Sequence, residues 1–264
     1  MQTKSRTTVF LALLVLIAGA SGLAQEAKVG HLDGNQRRGK DLYQRYCIYC
    51  HGKYGDGQGE NAFYLDPKPR DFTTAVFKCR STPTGTLPLD SDLYDTISRG
   101  VHGSGMPSWK PLTRQERVDL IAYIKSFSPK FTEEKPGTAI VIPDEPRNSP
   151  ESVTRGSELF QSMNCWQCHG KEGRGNGPSA ASLTDSKGHP IAPFDLTSGT
   201  KLKCGESDKG IFRDLTTGLD GTPMPSFSDA LKPDQIWDLV HYIATLRRGK
   251  DSPKSELSES NGSH

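Results

Sequence analysis

Apolar residues recur at helical spacing in two long stretches of this chain. Over 113–127, Val118, Ile121, Ala122 and Ile124 fall on one side of a 3.6-residue period, and Thr113, with Glu116 three residues on, has the form of a capping box. Over 232–246, Ile236, Leu239, Val240 and Ile243 do the same, with Pro233 near the first turn, where its missing N–H costs nothing. Shorter helices are predicted over 90–99 and 207–217. Two more open near Arg38 and Arg155 and run into cysteine-containing pentads. No strand-rich stretch appears, so the fold class is all-α.

These elements come in two matching sets. Arg38-Gly39-Lys40-Asp41-Leu42-Tyr43-Gln44 pairs with Arg155-Gly156-Ser157-Glu158-Leu159-Phe160-Gln161, each ahead of a pentad: Cys47-Ile48-Tyr49-Cys50-His51 and Cys165-Trp166-Gln167-Cys168-His169. Glycine-rich runs follow both histidines, then Pro69-Arg70-Asp71-Phe72-Thr73 and Pro193-Phe194-Asp195-Leu196-Thr197. Met106-Pro107-Ser108-Trp109 and Met224-Pro225-Ser226-Phe227 come next, each methionine 55 residues after its histidine, and an amphipathic helix closes each set. The pattern is an internal duplication.

A C-x-x-C-H pentad is the attachment site of a c-type haem. Two thiols add to the porphyrin vinyls, and the histidine binds iron. On a helix the first cysteine and the histidine lie one turn apart on one face, which suits a macrocycle edge and its metal. Zinc would want a further close Cys/His pair, and a redox dithiol would follow a strand; neither context is present. Two covalent haem c groups are therefore expected, on Cys47, Cys50, Cys165 and Cys168, with His51 and His169 on the irons. A carbonyl near Pro69 or Pro193 is a candidate acceptor for the histidine Nδ1 proton, although each proline has an equally good reading as a loop-shaping residue.

The 33% hydrophobic content is thin for two cores; two buried porphyrins would supply apolar surface that the side chains lack. Residues 1–24 read as a secretory signal, with Lys4 and Arg6 before an apolar run from Val9 to Ala20 and a small-residue cleavage site ending at Ala24. An uncleaved anchor is the alternative, though the run is short for a span. Losing Lys4 and Arg6 takes the formal net charge of +2 to zero, and no basic stripe suggests nucleic acid. The expected location is periplasmic or otherwise exported, with no transmembrane span in the mature chain. Residues 129–150, rich in proline and charge, read as a linker, and 249–264 as a disordered tail.

With pentad, glycine loop, methionine-proline and closing helix in order twice, the chain resembles tandem dihaem class I cytochromes c, with one domain over 31–128 and a second over 151–248. The resemblance implies that Met106 and Met224 are the distal iron ligands opposite His51 and His169, and that Tyr43 with Tyr123, and Phe160 with Tyr242, form the aromatic contacts where first and last helices cross. His/Met ligation favours ferrous iron and leaves little room for an exogenous ligand. His102 competes with Met106; His189 and His241 are weaker competitors, and His31 has no motif around it. The segment 80–88 looks like one found in cytochromes c that accompany periplasmic molybdenum oxidoreductases and similar respiratory enzymes.

Cys79 and Cys204 remain, at equivalent places in the two repeats. A disulfide joining the domains, two buried free thiols and a functional thiol are all open. The expected function is single-electron transfer between donor and acceptor proteins, such as a molybdenum oxidoreductase or a terminal oxidase, as a soluble carrier or as a subunit of a complex. The alternative is a dihaem enzyme, peroxidase-like or thiosulfate-oxidising, with an open or Cys-ligated haem.

Overall fold

The computed structural model describes residues 26–248; the expected signal and tail lie outside the described residues. The first helical unit comprises α1 (Gln36–Tyr46), α2 (Ile48–His51), α3 (Asp90–Arg99) and α4 (Arg114–Lys125). A short α5 (Lys130–Glu133) leads to the second, made of α6 (Pro150–Ser162), α7 (Cys165–His169), α8 (Asp208–Thr217) and α9 (Pro233–Arg248). A two-residue hairpin, Lys28–Val29 antiparallel to Leu32–Asp33 with Val29 opposite Leu32, precedes α1.

Local chemistry sets the helix boundaries. Thr113 accepts from the Glu116 N–H while the Glu116 side chain takes the Thr113 N–H, the reciprocal cap expected from the sequence. Ser149 caps α6, which has Pro150 in its first turn, and Ser207 caps α8.

In each unit the first and last helices cross at a glycine. A Cβ on Gly39 would lie 1.9 Å from the Asp119 carbonyl oxygen, and one on Gly156 2.0 Å from that of Asp238, so only glycine permits this approach. Aromatic edges close both crossings: Tyr43–Tyr123 at 5.2 Å and Phe160–Tyr242 at 5.4 Å between ring centres. An ion pair covers each crossing, with Arg38 Nε 2.8 Å from Asp119 and Arg155 Nε 2.7 Å from Asp238. Val118, Leu120, Ile121 and Ile124 fill the first core; Ile236, Leu239, Val240 and Ile243 fill the second.

The two units are held face to face. Cys79 and Cys204 form a disulfide, with Cα atoms 5.1 Å apart. Beside it, fully buried Arg80 donates to the Thr217 carbonyl at 2.6 Å and pairs with Asp220 at 2.8 Å. Asp220 also accepts from the Thr84 hydroxyl and the Gly85 N–H. The segment 80–88 is thus an interdomain clamp. Lys187 pairs with Asp71 across the same boundary.

Residues 129–150 do more than connect. Phe131 is buried against the first core, and the Ile140 N–H donates to the Ser81 carbonyl at 2.8 Å. Ile142 then packs on the second core, and Glu145 reaches His241.

Candidate functional site

Both pentads sit on a short helix after a break. The first break is at Cys47, which ends α1 and begins α2, with the His51 N–H donating to the Cys47 carbonyl at 2.9 Å. The second is at Asn164, whose left-handed backbone turns the chain into α7. In both, the first cysteine lies one turn before the histidine, as the spacing predicts.

His51 Nδ1 lies 2.9 Å from the Arg70 carbonyl oxygen, and His169 Nδ1 lies 3.0 Å from that of Phe194. A carbonyl only accepts, so Nδ1 carries the hydrogen and the Nε2 lone pair faces away, free for a metal. Burial lowers the pKa of both imidazoles against the opposing effect of these hydrogen bonds, which favours the neutral form that ligates. The acceptors are the residues after the two prolines. The proline carbonyls point elsewhere: they face Gly57 and Gly175, where a Cβ would come within 2.7 Å, and both glycines have positive φ, 77° and 74°. The glycine-rich loops are thus shaped to let the chain carrying the acceptor pass close behind the histidine.

The methionine loops are clamped the same way twice. Ser108 donates to the Ser98 carbonyl at the end of α3, and Ser226 to the Thr216 carbonyl at the end of α8. Val101 and Leu219 N–H groups donate to the carbonyls of Met106 and Met224, both at 3.1 Å. The serine of Met-Pro-Ser therefore fixes the loop to the preceding helix, a role that the repeated motif signals without explaining.

In the second unit a cavity of about 380 Å³ is lined together by Cys165, Cys168, His169 and Met224, with Phe194, Leu215 and other apolar side chains around them. Two thiols, an imidazole and a thioether on one apolar cavity are the donor set of a haem c with His/Met ligation. In the first unit His51 is buried and stacks on Phe72 at 4.4 Å, and Met106 packs against the core with Cys47. Burial pushes Cys47 up to about 12 and Cys165 up to about 11, so neither is the low-pKa thiol of a redox dithiol. Among the described residues, no three His, Cys, Asp or Glu side chains are placed to hold a metal ion.

The family model for cytochrome c matches residues 153–247, and that for cytochrome c oxidase, cbb3-type, subunit III, matches 34–124. A chain of the Kuenenia stuttgartiensis reducing HAO-like protein complex is 42% identical, superposes with a TM-score of 0.78, and aligns over 80% of this chain and 96% of its own. The chain belongs to the cytochrome c family. Its two cytochrome c domains carry two covalently attached haem c groups, one each.

Curated relatives of this cytochrome include the cbb3-type oxidase subunit FixP of Azorhizobium caulinodans, 24% identical over 80% of this chain and 60% of its own length. The bc1 complex cytochrome c subunit of Corynebacterium diphtheriae is 24% identical over 90% and 78%, and the cbb3-type subunit CcoP of Helicobacter pylori 33% identical over 32% and 30%. The cytochrome thus spans 60% or less of the two cbb3 subunits. Among its described residues no helix is long and apolar enough to cross a membrane.

Two of the competing histidines, His241 and His189, have polar partners of their own. His241 is fully buried and hydrogen-bonded through Nδ1 to Ser152, with Glu145 3.3 Å from Nε2. His189 sits beside Asp185.

Proposed function

We propose that this cytochrome is an exported dihaem electron-transfer protein, passing single electrons between respiratory redox partners as a carrier or as a subunit of a complex. Cys47 and Cys50, and Cys165 and Cys168, hold the haems; His51 with Met106, and His169 with Met224, are the axial pairs. The single observation that carries this reading is the second-domain cavity, which both cysteines, the histidine and the methionine line together with apolar side chains. The haem supplies reversible one-electron chemistry. The chain orients the imidazoles through the Arg70 and Phe194 carbonyls, anchors the methionine loops through Ser108 and Ser226, and keeps water out with its apolar lining.

The names of the relatives, subunits of cbb3-type oxidase and bc1 complexes, favour a respiratory setting; the exported location rests on the signal-like residues 1–24. The disulfide between Cys79 and Cys204 leaves neither sulfur free as an iron ligand, which weighs against a thiolate-ligated catalytic haem. The test is an optical spectrum of the purified protein, oxidised and reduced, with and without carbon monoxide. Two low-spin haems per chain, both unmoved by carbon monoxide, are expected. Ready carbon monoxide binding at either haem would overturn the closed His/Met arrangement there and favour the dihaem-enzyme reading.

A further inference from the structure

One residue of the first domain borders the cavity of the second. Lys78 lines it, alongside Cys165, Cys168, His169 and Met224. Its main chain is held on both sides: Phe77 is buried in the first core, Cys79 is bridged to Cys204, and Arg80 is anchored to Thr217 and Asp220. The lysine is thus delivered to the opposite domain by a segment tied to both domains.

Lys78 also borders a smaller cleft with Asp71 and Asp185, but Asp71 is taken by Lys187. Burial, with Arg70 and Lys203 nearby, pushes the Lys78 ammonium down to about 8. The neighbouring acid, Asp185, is engaged by the Lys187 and His189 N–H groups and the His189 ring, and among the described residues Lys78 makes no ion pair. The other ionisable groups on the cavity serve elsewhere: Lys203 Nζ reaches the Gly103 carbonyl, and Asp214 is paired with Arg213. A haem carries two propionates, and a carboxylate in an apolar cavity is costly without a cation.

We propose that Lys78 of the first domain is a positioning residue for the haem of the second, its ammonium holding a propionate, so that one domain sets the potential of the other's haem. The inference rests on the ligand assignment above. A cation fixed there favours the reduced haem, whose added electron it offsets.

The test is a redox titration of the holoprotein and its Lys78→Met and Lys78→Arg variants, with Met224→His marking which of the two waves belongs to the second domain. Lys78→Met is expected to shift that wave negative by a factor of about ten in the reduced-to-oxidised ratio, which is about 59 mV for one electron, with the other wave unmoved. Lys78→Arg should restore most of the shift, since it keeps the charge. A wave that moves in Met224→His and stays put in Lys78→Met overturns the role of Lys78 alone. Equal shifts of both waves in Lys78→Met and Lys78→Arg overturn it too, because they mark a loosened interface. If Met224→His moves neither wave, the ligand assignment falls and takes this inference with it. Should Lys78→Met fail to take up haem, Lys78→Gln, which keeps a polar tip, carries the same comparison.

Discussion

His51 and His169 each donate from Nδ1 to a main-chain carbonyl, which no side-chain substitution at the acceptor removes. On the proposed ligation, the methionines are the residues through which the irons are open to change. Met106→His or Met224→His replaces a soft thioether with an imidazole and should lower the potential of one haem selectively; a titration with both waves unchanged would exclude that methionine as ligand. Asp119 responds to acid. Burial raises its pKa, but hydrogen bonds from Arg38, the Asn35 N–H and Gln115, with the Arg38 charge, outweigh burial and hold it below the ordinary carboxylate range. The stability it contributes is full above the unfolded value of about 3.9 and is lost as pH falls through the lower folded value. Acid unfolding should therefore begin earlier in Asp119→Asn than in the parent, followed by the Soret band or far-ultraviolet circular dichroism.

The crossings α1–α4 and α6–α9 set the shape of each domain. Gly39→Ala or Gly156→Ala drives a methyl into a carbonyl of the partner helix, and overpacking of this kind costs about 1–3 kcal/mol, occasionally more. A fall in thermal midpoint is expected for both; an unchanged midpoint would show that the helices separate at little cost. The capping box is milder, and Thr113→Ala should cost about 1 kcal/mol in denaturant unfolding. Much at this scale was legible in the chain. The helix expected over 90–99 is α3, Asp90–Arg99, and both aromatic pairs meet as the resemblance implied, because periodicity, caps and repeats are local. The ion pairs Arg38–Asp119 and Arg155–Asp238 were not read, since 81 and 83 residues separate the partners. Their signal was there in retrospect: Arg-Gly opens the first helix and an aspartate precedes the apolar pair Leu120-Ile121 or Leu239-Val240 in both repeats.

At the scale of the whole molecule, the disulfide and the Arg80–Asp220 pair join two domains that each have their own core. The chain-entropy model gives a disulfide closing about 100 residues roughly 4.7 kcal/mol, and Cys79 and Cys204 are 125 apart. Replacing both by serine should lower the free energy of unfolding by about 2–5 kcal/mol and uncouple the two domains in calorimetry; one unaltered transition would show that the remaining contacts suffice. The duplicated chemistry was determined by the sequence alone: pentads, methionine loops and closing helices recur in order, and each works through neighbours within a turn or a loop. Which carbonyl meets each histidine, that Cys79 bonds Cys204, that segment 80–88 clamps the second domain and that Lys78 lines the other domain's cavity were decided only by tertiary structure. The histidine acceptors lie 19 and 25 residues on and depend on how each loop folds back; the interdomain contacts join groups 125 and 137 residues apart, where pairing depends on how two packed domains face each other, and no local pattern along a chain encodes that orientation.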